Sequence, residues 1–305
     1  MSRPGQNSAS GGWGRPRLLA TLAAGVGAAL LFVAGLALAL YYGLRSADAT
    51  STPHSAAWST SPKPVAPGSG PAYRDQVAAA PMLPVAPDDA RRGVPSAVTG
   101  PVIDVPPATG VGPGQVPTGF PPTPGGAVGQ LAAIETTVLQ GMSIPQANQV
   151  YEQWALPGEA GVADWALTKN VQNFLASAGQ GQTKDPTVAV TATPAAGQVK
   201  GTDGPDWVLA CVLLDVRATI TVQARIAYGF CERMQWHATP PTGPGGDGGR
   251  WMIAPGAPAA AAPSTWPGTD IAFKAGWRTW VSNDLASSDE SGAAATSTSN
   301  PTITE

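Results

Sequence analysis

The sequence predicts an α+β domain held outside a membrane by an N-terminal anchor and a long linker. Three observations carry this. Residues 18–44 form one uncharged apolar run, the apolar residues of 127–178 recur at helical spacing, and those from 187 onward alternate.

The run from Leu18 to Leu44 is rich in Leu, Ala, Val and Gly, with Tyr41 and Tyr42 near its end. A bilayer core about 30 Å thick takes about 20 apolar residues as a helix, and aromatic rings favour the headgroup level. Arg3, Arg15 and Arg17 precede the run and Arg45 follows it. The positive-inside rule therefore leaves residues 1–17 as a cytoplasmic tail and puts everything after residue 44 outside. Ala47-Asp48-Ala49 fits a signal cleavage site, but the run is longer than a signal h-region of about 7–15 residues, so the expectation is an uncleaved single-pass anchor. Ala20, Ala24 and Ala28 repeat at a spacing that lets two helices pack, which is compatible with a homo-oligomer. Ordinary Ala usage explains them as well.

Residues 45–126 contain Pro throughout, as in Ser61-Pro62-Lys63-Pro64 and Pro121-Pro122-Thr123-Pro124, with Gly, Ala, Ser and Thr between. No apolar period lasts long enough to cover a core, so the expectation is a disordered stalk with polyproline II character.

Order is expected from Ala127. Val128, Leu131, Ile134, Val138 and Met142 make one helical stripe, and Gly141 suggests its stop. Ser143 caps a second helix with Pro145 in its first turn and Ala147, Val150, Tyr151 and Trp154 on its inner side. Leu156-Pro157-Gly158 breaks it. A third helix runs from Val162 to Ala178 around Trp165, Val171, Phe174 and Leu175.

Thr187 to Thr193 reads as a strand and Gly197 to Pro205 as a turn region. Trp207 to Leu214 is almost continuously apolar, the mark of a strand covered on both faces. From Asp215 to Arg225 the residues alternate: Val216, Ala218, Ile220, Val222 and Ala224 against Arg217, Thr219, Thr221, Gln223 and Arg225. Strand character continues through Tyr228, Phe230 and Met234 to Trp236, and Arg250-Trp251-Met252-Ile253 is a last short strand. The domain thus spans 127–256. Residues 257–286 hold a spacer and a helix capped by Thr269 or Asp270, carrying Phe273, Trp277 and Trp280, and 287–305 is a Ser/Thr-rich tail expected to be disordered.

A short tail, one membrane helix, then helices followed by long strands ending in Arg250-Trp251-Met252-Ile253 resembles the cone-shaped NTF2-like fold. With the anchor, the layout is similar to the VirB8 and TcpC components of bacterial conjugation (type IV secretion) machines, actinobacterial in type. The resemblance implies helices packed on a curved antiparallel sheet. It also implies a non-enzymatic assembly or scaffold component of a conjugation or secretion apparatus in the cell membrane. The partners would be the lipid bilayer and other proteins of a membrane complex. The stalk is longer than that pattern, and no second copy of the domain follows. The alternative is an extracytoplasmic binding module for a small ligand or cell-wall polymer.

The residues themselves point to no reaction. Charged residues are 12% of the chain and the net charge is −3, which excludes the basic field of a nucleic-acid binder. His54 lies in the stalk, and His237 is six residues from Cys231, about 20 Å along a straight strand. No metal-ligand spacing, P-loop, G-x-S-x-G or G-x-G-x-x-G occurs, so no catalytic, cofactor or metal residue is assigned. Asp203 and Asp206 around Gly204-Pro205 read as turn chemistry. Cys211 and Cys231 lie symmetrically about Thr221 and would face each other if a hairpin turned there, although Ile220-Thr221-Val222 lacks turn residues. A disulfide and two buried thiols both stay open. Trp266, Trp277 and Trp280 beyond the sheet either pack a terminal helix onto the domain or form a partner-docking patch.

Overall fold

The computed structural model describes residues 65–158, 161–219, 223–239 and 248–282. The anchor run 18–44, the first part of the stalk, His54 and the tail from 287 lie outside the described residues. No helix among the described residues is long and apolar enough to cross a membrane.

The chain is α+β, with five helices and a mixed six-stranded sheet among the described residues. The helices are α1 (Pro71–Ala79), α2 (Pro124–Gly141), α3 (Ile144–Trp154), α4 (Ala166–Ser177) and α5 (Asp270–Lys274). The large sheet contains β1 (Val102–Val105), β4 (Ala189–Thr202), β5 (Trp207–Thr219), β6 (Gln223–Ala238), β7 (Gly249–Ile253) and β8 (Arg278–Ser282). Its order is β1-β8-β4-β5-β6-β7, antiparallel except for the parallel pair β1 and β8. A separate small hairpin joins β2 (Gly110–Val111) to β3 (Pro117–Thr118).

The capping logic places the helices. Thr123 accepts from the Gly126 N–H, Ser143 from Gln146 and Thr269 from Ala272, satisfying N–H groups that have no partner within the helix. The α2 stripe of Val128, Leu131, Ile134, Val138 and Met142 is buried, as are Val150, Trp154, Leu167, Val171 and Leu175. α4 starts later than its spacing suggests, because Val162–Asp164 forms a 3-10 turn first.

β5 and β6 form a long hairpin, with Thr219 opposite Gln223 and Cys211 opposite Cys231. The sequence presents Asp215 to Arg225 as one alternating run. Reflection about residue 221 preserves odd and even positions, so a straight strand and a hairpin put the same residues on the same faces. β4 also differs from expectation. It continues through Gly197 to Thr202, and its register shifts at Pro194/Ala196 and Val199/Gly201 absorb the residues that read as a turn. Two glycines there permit close approach. A Cβ on Gly197 would lie 2.9 Å from the Val128 side chain of α2, and one on Gly201 would lie 2.6 Å from Val77 of α1.

Two corrections concern the ends. Residues 65–126 are part of the domain. α1 buries Val77 and Ala78 against Trp207 and Leu209, while Met82 and Leu83 pack beside the Cys211–Cys231 pair. The Lys200 ammonium donates to the carbonyls of Ala78 and Ala80, and Asp203 accepts from the Gly70 N–H and the Arg74 guanidinium. These anchors supply the order that periodicity does not announce. Of the expected stalk, residues 45–64 lie outside the described residues. At the other end, the helix expected to carry Trp277 and Trp280 stops at Lys274, and Trp280 sits on β8. Gly276, at φ +94°, makes the turn between them.

Candidate functional site

β7 pairs only with Met234 to Ala238, so β6 before Met234 is a sheet edge among the described residues. The chain leaving β7 runs past that edge. Ala254 donates its N–H to the Arg233 carbonyl, and Ser264 Oγ accepts from the Gly229 N–H. The end of α3 and the start of α4 form the opposite side. Between them lies a cavity of about 210 Å³, lined among others by Tyr151, Trp165, Asn170, Tyr228, Phe230 and Glu232.

The polar groups of this region arise at positions where a periodic apolar face is interrupted. On β6, Tyr228, Phe230, Glu232, Met234 and Trp236 occupy alternate positions, so strand geometry carries the Glu232 carboxylate inward with its apolar neighbours. On α2, Glu135 lies one turn after Leu131 and one before Val138, within the buried stripe.

Glu232 is 8% exposed. Its Oε2 accepts from Trp165 Nε1 at 3.0 Å and its Oε1 from the Arg233 N–H at 3.0 Å. Burial pushes its carboxyl above the ordinary range, while the Trp165 and Arg233 hydrogen bonds and the Arg233 charge pull it back. Glu135 is fully buried, and neither of its carboxyl oxygens has a hydrogen-bond partner among the described residues. Burial, and then the charge of Glu232, raise it well above the usual carboxylate value. Tyr228 Oη accepts from Asn170 Nδ2 at 2.7 Å, and burial followed by the Glu135 charge raises its phenol strongly. Burial and the Glu232 charge also raise Tyr151, whose ring lies 5.1 Å from that of Trp165.

Two buried carboxyls in unlike surroundings divide into a proton holder and a charge holder. Glu135, without donors, keeps its proton more readily. Glu232, with two donors, carries charge more readily.

The residues singled out from the sequence lie elsewhere or do other work. Cys211 and Cys231 are disulfide-bonded on the sheet face opposite the α2 stripe, so Cys231 offers no thiol to His237, which is exposed near the end of β6. Trp277 is fully buried beside the disulfide, with Nε1 donating to the Pro263 carbonyl at 2.9 Å, and therefore presents no docking surface. Trp266 is half-buried under the Arg225 guanidinium at 4.3 Å, and Trp280 packs half-buried against the main core. No group of three or more His, Cys, Asp or Glu among the described residues could hold a metal ion.

Glu135 and Glu232 were missed because each was passed over inside an apolar pattern. The signal was present, since a carboxylate at an apolar position of an otherwise buried face must find a partner or hold its proton. Compared with protein-family models, curated proteins and solved structures, the chain matches none of them.

Proposed function

We propose that this chain is a binding module of the cell envelope, anchored by residues 18–44, whose NTF2-like domain takes a small ligand into the cavity beside β6. The observation that carries this reading is the cavity itself. It is concave, and its apolar and aromatic lining includes a few polar groups, among them Glu232, Trp165, Asn170 and Tyr228. The helices over one face of long, mainly antiparallel strands support the NTF2-like assignment. The Cys211–Cys231 bond supports an extracytoplasmic location, since disulfides persist in oxidising compartments. No reaction is part of the proposal.

The test is a ligand-detected NMR screen of ring-sized compounds against the full chain, repeated with Ala166→Phe to fill the cavity mouth. Binders lost on that substitution support the reading. A screen with no hit, or hits indifferent to the substitution, overturns it.

A second reading, an assembly component of a conjugation or secretion apparatus, is favoured by the sheet edge at β1. Val102 on β1 and Val281 on its partner β8 are exposed at 54% and 40%, and the other edge of β1 has no strand beside it among the described residues, so another chain could extend the sheet there. Crosslinking in native membranes, followed by mass spectrometry of partners, tests it. Recovery of transfer ATPases and channel subunits supports it, and their absence removes it.

A further inference from the structure

We infer that the cavity ligand is a small organic cation, an ammonium group on an apolar body of about ring size. This deepens the binding-module reading and rests on it.

Among the described residues, the lining carries two carboxylates, Asp164 and Glu232, and no Lys, Arg or His. Asp164 has a cationic partner, Lys169 Nζ at 3.1 Å, in an exposed pair at the rim. Glu232 does not. Its hydrogen bonds come from an indole and a backbone amide, both neutral. The neighbouring Arg233 donates instead to the Ala257 carbonyl at 2.8 Å and pairs with Asp75 at 2.8 Å, and it is not part of the lining. A buried carboxylate without a direct ion pair is costly, and a cation bound against it would lower that cost.

The remaining geometry fits the same chemistry. A carboxylate has about four acceptor positions, and two are used, so the N–H groups of an ammonium have places to donate. Tyr151, Trp165, Tyr228 and Phe230 supply ring faces, whose negative quadrupole attracts cations. The volume of about 210 Å³ exceeds the roughly 150 Å³ cavity that holds benzene, leaving room for a ring and one short arm. An anionic ligand would meet the Asp164 and Glu232 carboxylates and, among the described lining residues, no cationic side chain.

The experiment compares benzylamine, protonated at neutral pH, with benzyl alcohol, its neutral counterpart of similar shape, by titration calorimetry on the full chain. We expect the ammonium to bind about tenfold tighter, as a charge-assisted hydrogen bond implies. In Glu232→Gln the two affinities should become equal. Tyr151→Leu, at a half-buried position, gives an independent reading if Glu232→Gln fails to fold. It should weaken benzylamine several-fold more than benzyl alcohol. Equal binding of both compounds to the native chain overturns the cation assignment while leaving the binding-module reading standing. A benzylamine preference that survives Glu232→Gln, or a Tyr151→Leu loss that is equal for both, overturns it as well. Failure of either compound to bind, together with an empty screen, overturns both readings.

Discussion

One face of the sheet is covered by α2, α3 and α4, whose apolar stripes lie over Val208, Ala210, Val212, Leu214 and Val216. The other is covered by α1, the irregular residues around Met82 and Leu83, and the chain from Ala259 to Trp277. Both sets of β5 side chains are buried, Leu209, Cys211 and Leu213 as completely as Val208, Ala210 and Val212. Regular helices cover a face through repetition, which is visible in sequence. Irregular Pro-rich segments do so one anchor at a time, through Asp203 with Arg74, Lys200 with the end of α1, and Trp277 with Pro263. The two faces differ in a second respect. The Pro-rich face carries the disulfide, whereas the helical face carries the two buried carboxyls, and the cavity is walled from both, by Cys231 and Ser264 as well as by Tyr151 and Trp165.

The largest test of this comparison removes one cover. A chain of residues 65–282 should fold cooperatively, whereas one starting at residue 124 should fail to fold or should aggregate, because Trp207 and Leu209 lose their cover. Circular dichroism and sedimentation distinguish these. Equal melting of both chains would return 65–123 to the role of a spacer.

Next come single tryptophans on opposite faces. Trp154→Ala and Trp277→Ala should each lower unfolding free energy by about 3–5 kcal/mol, since both side chains are fully buried. Denaturant titration measures this, and a near-zero cost at Trp277 alone would show that the Pro-rich face is a loose cover. Replacing both cysteines with Ala should cost about 3 kcal/mol on the loop-entropy account, read against the native chain with and without reductant.

A smaller change of opposite sign belongs to the helical face. Glu135→Met should raise stability at neutral pH by roughly 1–3 kcal/mol, because it replaces a buried carboxyl that has no partner. The sign of the pH effect follows from the raised value of Glu135. Above about 4.5 the unfolded chain has lost this proton while the folded chain keeps it, so stability falls as pH rises through that window. The substitution should flatten the fall. A destabilised Glu135→Met would show that the carboxyl has a structural partner.

The smallest expected effect is at Lys200, whose ammonium is lowered by burial from 10.5 to about 8. Between those values the unfolded chain holds more protons, so this group makes stability rise with pH. Lys200→Met should remove that rise in melts between pH 8 and 10.

The sequence by itself determined the local and periodic features. These are the α2 stripe, the Ser143 cap, the faces on which the residues from 215 to 225 alternate, and the two-sided burial of β5. Backbone geometry converts such spacings directly into faces. The apolar run of β5 also required a second cover without naming it. The identity of that cover was decided only by tertiary structure, because α1 packs on strands more than a hundred residues away and displays no repeat. The same holds for the cavity. Two interrupted patterns marked Glu135 and Glu232 separately, but only the packing of α2 against β6 placed the two buried carboxyls close enough for the Glu232 charge to act on Glu135.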